Sequence, residues 1–318
     1  MKKIFIFLFL LSACKRDVPV PDPLISIPIV FPSAYKTKNV FIVIMDGARY
    51  SETWGESSQQ YIPHIKQLSP TGVIGTNFYN DGETVTISGH TAITTGIYQV
   101  INNGGMEIPT HVSLFQLYLS KFSKPASDAW IISTKDKLEV LSDCTNPYWS
   151  GKFKPRTDCG INGNTTGYRE DSVTYQHVID TIKMYHPHLV LVNFKHPDAT
   201  AHANNWPDYL TQIKNVDRYI GQLWSYLQSD SLYAGTTTMF VTNDHGRHLD
   251  SIADGFVSHG DGCEGCRHIM FLALGPDFKT NYIETKRHSL VDIYATTCKL
   301  FGIKAPANNG KVMNTILR

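Results

Sequence analysis

Aspartate and histidine residues stand at the ends of several apolar runs in this 318-residue sequence. Asp46 follows the run at residues 39–45, and Asp244 and His245 stand back to back after the run at residues 237–243. Carboxylates and imidazoles are ligands of zinc, and acidic oxygen donors also suit harder ions. A lone Asp could instead begin a turn, and a lone His could pack in a core. The prediction of a metal site therefore depends on several such residues converging.

Two further stretches supply residues of the same types. Asp198 and His202 lie four positions apart after another apolar run, and His259 stands in a glycine-rich stretch that precedes one more. Asp198 could also cap a helix, and His248 and His268 remain alternatives to His259 because they are close to it in the sequence. Together with the first set, these residues provide three aspartates and three histidines, enough donors for two metal ions.

A hydroxyl-rich stretch offers a nucleophile beside these ligands. It contains Thr84, Thr86 and Ser88, with His90 following. Two metal ions about 3.5–4 Å apart form a clamp for in-line displacement at phosphorus. A hydroxyl bound to such an ion loses its proton far more easily than a free one, which makes it a nucleophile. The residues therefore suit metal-assisted displacement at phosphorus.

These residues converge if the apolar runs form strands of one sheet. The strand candidates are residues 39–45, 128–134, 188–194, 237–243 and 268–274. Helical patterns lie between them, notably at residues 173–184 and 209–227. This alternation predicts an α/β fold, a three-layer sandwich whose mainly parallel central sheet is covered by helices on both faces. Ligands of such sheets bind outside the carboxyl ends of the strands, where the Asp and His residues stand.

The order of the motifs resembles the alkaline phosphatase superfamily. The motifs are D-G-x-R at Asp46, T-x-x-G-H at Thr86, D-x-x-x-H at Asp198, N-D-H-G at Asp244 and H-G at His259. The nearest branches are the type I phosphodiesterases/nucleotide pyrophosphatases, the phosphatases with a threonine nucleophile, and phosphonoacetate hydrolase. The resemblance covers the chain from residue 39 to its end. It implies an alkaline phosphatase-like fold and phosphoester hydrolysis.

The resemblance also implies a role for each matching residue. One zinc ion would be bound by Asp46, Thr86, Asp244 and His245, and the other by Asp198, His202 and His259. Thr86 would be the nucleophile, since His90 follows it by four positions. Asn103, with Asn102 as the alternative, would bind the phosphoryl group, and Lys135 and Lys137 would hold its non-transferred oxygens. The sequence has no motif of the kind that sulfatases mature to formylglycine, which argues against a sulfatase.

The predicted function is that of a two-zinc phosphoric ester hydrolase that acts through a phosphothreonine intermediate on a small-molecule phosphoester. A fixed ammonium group favours the dianion of a phosphate monoester as substrate. The alternatives are a phosphodiesterase or nucleotide pyrophosphatase, a hydrolase of phosphonates, and a binding lipoprotein without catalysis. A net charge of +1 gives no reason to expect nucleic acid as a dedicated partner.

The N-terminus has the features of a bacterial export signal. Two lysines precede an apolar stretch at residues 4–11 that is too short to span a bilayer, and the four residues that end in Cys14 resemble a lipobox. We expect a lipoprotein signal peptide at residues 1–13, a proline-rich tether at residues 14–38 and one catalytic domain at residues 39–318. The protein would then be anchored in the periplasm or at the outer membrane through lipidated Cys14. An ordinary cleaved signal is the alternative.

Export would place the remaining cysteines in an oxidising compartment. Cys144 and Cys159 bracket a polar loop and could staple it. Cys263 and Cys266 form a single C-x-x-C without a second pair, which favours a local disulfide over a metal site. The polar segment at residues 142–168 is predicted to be an insertion that covers the site as a lid.

Overall fold

The computed structural model describes residues 34–318. The predicted signal peptide, Cys14 and the tether up to residue 33 lie outside the described residues. Between residues 34 and 318, no helix has the length and hydrophobicity needed to cross a membrane. The predicted catalytic domain at residues 39–318 lies wholly within the described part of the chain.

Within residues 34–318, eight strands form the central sheet, in the order β5-β4-β6-β1-β7-β8-β2-β9. Their bounds are β1 Asn39–Met45, β2 Gly72–Gly75, β4 Ala129–Ser133, β5 Arg156–Cys159, β6 Leu189–Phe194, β7 Thr237–Thr242, β8 Phe271–Leu274 and β9 Tyr282–Glu284. Two short strands, β3 Phe78–Tyr79 and β10 His288–Ser289, pair with each other in a separate sheet. The central sheet is mainly parallel, and only β8 runs antiparallel to its neighbours β7 and β2.

The strand β1 lies in the middle of this sheet and is buried along its whole length. Successive side chains of a strand point to opposite faces. Accordingly, Val40, Ile42 and Ile44 pack in one hydrophobic cluster, and Phe41, Val43 and Met45 pack in the other. A strand covered on both faces needs apolar residues along its length, which is why the sequence is an unbroken apolar run from Val40 to Met45.

Helices cover both faces of the sheet and complete three layers. The helices are α1 Pro63–Leu68, α2 Thr86–Thr95, α3 Leu114–Lys121, α4 Asp171–Tyr185, α5 His196–His202, α6 Trp206–Ser229, α7 Glu264–Arg267 and α8 Leu290–Phe301. Buried residues of α2, α3 and α8 join one hydrophobic cluster, and buried residues of α1, α4, α5 and α6 join the other. The predicted helices at residues 173–184 and 209–227 correspond to α4 and α6.

The register of the three central strands brings their carboxyl ends together. In the parallel pairings of β1, Ile44 lies opposite Asn193 of β6 and opposite Thr242 of β7. The residues that follow each strand therefore leave the sheet at the same edge. This places Asp46 and Asp244 in adjacent positions above the sheet.

The strands away from the centre of the sheet differ from those predicted from the sequence. The run at residues 268–274 forms a strand only from Phe271, and β2 and β9 were not predicted because each is short and contains polar residues or glycine. The segment at residues 142–168 is not only a loop, since it contributes the edge strand β5, which pairs in parallel with β4. Its end still borders the site region, because Asn164 Nδ2 donates to the Gly105 carbonyl at 2.6 Å.

Both disulfide predictions are wrong for this structure. Cys144, Cys159, Cys263 and Cys266 are free thiols. Cys159 is the last residue of β5, and its Sγ donates to the carbonyl of Ile131 in the neighbouring strand at 3.6 Å, so this thiol belongs to the sheet and not to the loop. In the C-x-x-C stretch, the Cys266 N–H donates to the Cys263 carbonyl at 3.1 Å, which makes a tight turn with two reduced thiols.

Candidate metal centre and active site

Asp46, Asp244 and His245 form a fully buried group at the carboxyl ends of β1 and β7. One ligand atom from each lies within 4.8 Å of the others. His245 Nε2 is 3.7 Å from Asp46 Oδ1 and 3.5 Å from Asp244 Oδ2. His245 Nε2 and Asp244 Oδ2 are buried and make no hydrogen bond. Because buried polar atoms normally have partners, two such atoms facing each other fit the ligation of a metal ion.

Neighbouring groups orient these donors. The ring Nδ1 of His245 lies 2.9 Å from the Gly246 carbonyl, so the hydrogen belongs on Nδ1 and the lone pair of Nε2 faces the group. Burial lowers the pKa of His245 to about 3, which keeps the imidazole neutral as a metal ligand must be. Asn193, the residue of β6 beside β1, donates from Nδ2 to Asp46 Oδ2 at 2.8 Å.

Asp198, His202 and His259 form a second group within the same 4.8 Å limit. The Nε2 atoms of His202 and His259 lie 3.1 Å apart, and they are 3.3 Å and 3.5 Å from Asp198 Oδ1. Asp198 and His202 both lie on α5, where a spacing of four places two side chains on one face. His259 Nδ1 lies 2.7 Å from the Thr84 carbonyl, and burial lowers the pKa of His259 to about 4.

The geometry distinguishes His259 from the two alternatives considered for its position. His268 Nε2 faces the Thr76 carbonyl at 3.0 Å, and the His268 ring stacks on Tyr50 with ring centroids 3.8 Å apart. His248 turns away from Asp198 towards other carboxylates. Of the three histidines, His259 is the one that the structure brings to Asp198 and His202.

Lys135 and Thr86 lie between the two groups. The Lys135 ammonium donates to Asp198 Oδ2 at 2.6 Å, to Asp46 Oδ1 at 2.9 Å and to Thr86 Oγ1 at 3.0 Å. Burial lowers the pKa of Lys135, but the charges of Asp198 and Asp46 outweigh it and raise the pKa above its usual value. The ammonium is therefore held charged beside the Thr86 hydroxyl.

Thr86 is the first residue of α2, so its hydroxyl stands at the positive end of a helix. The other hydroxyls of this stretch face elsewhere. Thr84 Oγ1 accepts from the Gly262 N–H, and Ser88 Oγ accepts from the Ile101 N–H. Only Thr86 of the three contacts Lys135.

Asn103 and Lys137 border the start of α2. Asn103 Oδ1 accepts from the Ile87 N–H at 3.0 Å, which directs the Asn103 side chain to the same helix end as Thr86. Asn102 instead accepts from the nearby Gly104 N–H, so Asn103 is the residue placed at the site. Lys137 Nζ donates to the Asn103 carbonyl at 3.1 Å, and burial together with the charge of Lys135 lowers the pKa of Lys137 to about 8.

Arg247 is a site residue that the sequence motifs did not single out. It is fully buried, its Nη1 donates to Asp198 Oδ1, and its Nη2 lies 3.1 Å from His202 Nδ1. Its Nη2 also donates to the Val257 carbonyl at 2.5 Å, in the loop that leads to His259. Arg247 thus contacts or supports all three members of the second group. The sequence feature that could have identified Arg247 is its position directly after the N-D-H-G motif.

The position after Asp46 requires glycine. Gly47 has φ +68°, and a Cβ there would lie 2.9 Å from Asp198 Cβ and 3.0 Å from Arg247 Nη1. Glycine is the residue that adopts this backbone conformation without steric cost. It lets the chain turn away from β1 while Asp198 and Arg247 pack against its backbone.

The sequence model of the family "Type I phosphodiesterase / nucleotide pyrophosphatase" matches residues 40–248, more than half of the chain. The chain belongs to this family. Its members are phosphoester hydrolases, so the predicted enzyme class is confirmed. The matched range contains every residue of the two groups except His259.

Solved structures of the alkaline phosphatase superfamily share the fold. Murine ectonucleotide pyrophosphatase/phosphodiesterase 5 matches at 16% identity with a TM-score of 0.63, over 88% of this chain and 100% of that one. A further structure of that protein is an inactive threonine-to-alanine variant in complex with AMP. The phosphonate monoester hydrolase of Agrobacterium radiobacter matches at 13% identity and a TM-score of 0.63, over 88% of this chain and 77% of that one. The predicted α/β fold is thereby confirmed.

Curated relatives match only in part. The 2,3-bisphosphoglycerate-independent phosphoglycerate mutase of Helicobacter pylori is 31% identical over 122 residues, which are 37% of this chain. The mutase of Clostridium tetani is 25% identical over 129 residues, which are 41% of this chain. The matched stretches span 22% and 24% of those two proteins.

Proposed function

We propose that this chain is a two-zinc phosphoric ester hydrolase that acts through a phosphothreonine at Thr86, with phosphate monoesters as its substrates. The observation that carries the proposal is the position of the Thr86 hydroxyl. It stands at the start of α2, 3.0 Å from the charged Lys135 ammonium, and Lys135 in turn contacts one carboxylate from each ligand group.

In this proposal, Asp46, Asp244 and His245, together with Thr86, bind one zinc ion, and Asp198, His202 and His259 bind the other. The mixture of carboxylate and neutral imidazole donors suits zinc. When bound, the two ions would lower the pKa of the Thr86 hydroxyl and offset the charge of the phosphoryl group. Arg247 fixes the orientation of Asp198.

The chain's own groups then perform the displacement. Thr86 Oγ1 attacks phosphorus in line with the leaving oxygen, so the bond to Thr86 forms as the bond to the alcohol breaks. Because Lys135 stays protonated, it stabilises the deprotonated Thr86 oxygen and does not accept its proton. The Thr86 proton passes to water, and the leaving alcohol oxygen takes up a proton from water. Water then hydrolyses the phosphothreonine and releases phosphate.

The phosphoryl oxygens that are not transferred need donors at the same place. The N-terminus of α2, the Asn103 amide and Lys137 border this position. A phosphate monoester carries one more negative charge than a diester at neutral pH, so two lysines close to the nucleophile favour the monoester. This charge is the reason for placing monoesters first.

Phosphodiester hydrolysis is the second candidate. The matching family and the murine neighbour are both described as phosphodiesterases and nucleotide pyrophosphatases. An inactive threonine-to-alanine variant of that neighbour also supports a threonine nucleophile in this fold. Phosphonate hydrolysis follows from the description of another neighbour in the same way. A binding lipoprotein without catalysis would not need Thr86, Lys135 and complete ligand groups in one place.

The experiment combines metal analysis with a substrate comparison. The full-length wild-type chain is compared with Asp244→Ala and Asp198→Ala for zinc content and for hydrolysis of aryl phosphate monoesters and diesters. Each variant should hold one zinc equivalent fewer than the wild type and lose most of its activity. Unchanged zinc content in both variants would exclude the ligand assignment, and a wild-type preference for diesters would replace the monoester proposal with the second candidate.

The anchor proposal concerns residues 1–14. A lipobox-like stretch motivates attachment of the protein to a bacterial envelope membrane through lipidated Cys14. Cys14→Ser should move the protein from the membrane fraction to the soluble fraction of the envelope while kcat/KM stays the same. Membrane attachment that survives this substitution would exclude the lipid anchor.

A further inference from the structure

A third group of metal-ligating side chains lies outside the two groups of the active site. It consists of His248, Asp261, Cys263 and Cys266, and one ligand atom of each lies within 4.8 Å of the others. His248 and Cys266 are buried, and Asp261 and Cys263 close the group towards solvent. None of these residues contacts Thr86 or Lys135 in the hydrolysis proposed above.

The orientation of His248 points to a ligand. His248 Nδ1 lies 2.9 Å from Asp254 Oδ1, so the carboxylate holds the hydrogen on Nδ1 and leaves a lone pair on Nε2. Zinc-ligating histidines almost always have such a partner on the second ring nitrogen. His248 Nε2 is buried and makes no hydrogen bond, although Asp261 Oδ2 lies only 3.2 Å away. Two atoms with lone pairs that face each other at this distance fit a shared cation.

The two cysteines lie where their sulfur atoms could bind the same cation as His248 and Asp261. Cys263 precedes the short helix α7, and the Cys266 and Arg267 N–H groups both donate to the Cys263 carbonyl, which folds the C-x-x-C into one turn. The Sγ atoms of Cys263 and Cys266 lie within 4.8 Å of each other. Gly262 has φ +71°, and the Cys263 N–H donates to Asp261 Oδ1, so the chain reverses and carries Asp261 to the side of the thiols.

The loop that contains this group has few apolar contacts, and Phe256 is the residue that packs it against a hydrophobic cluster, beside Trp206 with ring centroids 4.8 Å apart. No residue from 249 to 264 is buried, and Leu249 and Ile252 are exposed. The same loop provides His259 to the second ligand group and the Val257 carbonyl to Arg247. A segment with a single such apolar contact needs another source of order, and a structural metal supplies folding free energy directly.

We propose that His248, Asp261, Cys263 and Cys266 bind a structural zinc ion that fixes the loop carrying His259. Two thiolates, one imidazole and one carboxylate complete four-coordinate tetrahedral zinc and leave no open position for substrate. Binding joins the end of β7 to the turn before β8 and encloses the loop between them. The C-x-x-C thus has its second pair of ligands in a His and an Asp.

Zinc content and cobalt spectroscopy test the site. The full-length chain is prepared under reducing conditions, loaded with zinc, and compared with the Cys263→Ser/Cys266→Ser double variant and with Cys298→Ala as a matched control for a thiol elsewhere. The double variant should hold one zinc equivalent fewer than the wild type, and Cys298→Ala should hold the same amount. Cobalt-loaded wild type should show a thiolate-to-cobalt charge-transfer absorption that the double variant lacks.

This absorption separates the structural site from the active site. The proposed active-site ligands include no cysteine, so Asp244→Ala should keep the absorption while it loses activity. Asp254→Asn, which changes the shared partner of His248 Nδ1 and Ser258 Oγ, should weaken zinc binding at this site about 10–100-fold. Limited proteolysis should cleave the loop at residues 249–255 faster in the double variant.

Two results would overturn the proposal. One is equal zinc content and equal cobalt absorption in the wild type and the double variant. The other is a Cys263–Cys266 disulfide that re-forms in the reduced, zinc-loaded protein, detected by mass spectrometry after alkylation. If the double variant fails to fold, Asp261→Asn decides, because the Asp261 side chain is 52% exposed and its replacement leaves the packing intact. Asp261→Asn should lose cobalt to a lower chelator concentration than the wild type does, and identical chelator titrations would exclude the site.

Discussion

Replacing Lys135 by methionine removes the charge that links the nucleophile to both ligand groups and keeps the length of the side chain. In the folded protein Lys135 is 3% exposed, and its ammonium donates to Asp46, Asp198 and Thr86 over 2.6–3.0 Å. We expect Lys135→Met to reduce kcat/KM for an aryl phosphate monoester much more than kcat/KM for an aryl diester.

The size of the effect follows from the contacts of the ammonium. One preorganised donor at a developing oxyanion contributes about 2.7–4 kcal/mol, so the monoester rate should fall about 10²–10³-fold. The diester carries one fewer negative charge. If the ammonium stabilises the transition state of the diester by about 1.4 kcal/mol less, the diester rate should fall by about tenfold less than the monoester rate. Removing one partner from a buried ion pair also costs about 3–5 kcal/mol of stability. Saturating zinc at a thousandfold excess over its Kd would offset about 4 kcal/mol of that cost.

The assay therefore measures both substrates in saturating zinc, with thermal unfolding of each variant as the check on folding. Lys137→Met is the matched control, because Lys137 contacts the Asn103 carbonyl but no carboxylate of the ligand groups. It should lose less activity on the monoester than Lys135→Met does. Equal losses on both substrates for Lys135→Met in a folded, zinc-loaded protein would refute the assignment of Lys135 to the phosphoryl dianion.

Three further predictions concern residues around the same site. Thr86→Ala should lower the turnover rate by orders of magnitude with the fold intact. A near-normal rate for Thr86→Ala, together with an inactive Thr84→Ala, would assign the nucleophile to Thr84 instead. Because the pKa of Lys137 is lowered to about 8, Lys137 is charged below that pH and neutral above it. Monoester kcat/KM should fall as pH rises through about 8, and Lys137→Met should flatten that limb of the pH profile. Gly47→Ala should destabilise the protein by about 1–3 kcal/mol and reduce zinc binding, since the Cβ of the alanine would lie 2.9 Å from Asp198 Cβ. A free energy of unfolding equal to that of the wild type in chemical denaturation would contradict this prediction.

The central strands of the sheet could be predicted because their apolar runs indicate strands that are buried on both faces. The stretches at residues 39–45 and 188–194 are apolar at nearly every position, which only strands covered on both faces require. The carboxyl ends of parallel strands then bring Asp46, Asp198 and Asp244 to one edge of the sheet. For this reason the sequence motifs and the folded structure place the same residues together.

The remaining features depend on tertiary contacts that no local pattern records. β2 and β9 pair at the far side of β8, and neither has more than four residues. Arg247 would ordinarily be placed on the surface, but it is buried against Asp198 and two carbonyl groups of the following loop. The grouping of His248 with Cys266 requires the loop between them to fold back, and sequence spacing alone does not show that.

The place of β1 in the sheet has a consequence for how the protein is made. The first strand of the described residues, β1, is bordered on both sides by strands that begin at Leu189 and Thr237. During synthesis, more than half of the chain must therefore be made before either edge of β1 can pair. An apolar strand with unpaired edges is prone to aggregate. Truncated or stalled chains should need chaperone protection, and no partial product that stops before β7 can have the nucleophile and both ligand groups in place. Catalytic competence is then acquired late, as a property of the nearly complete chain.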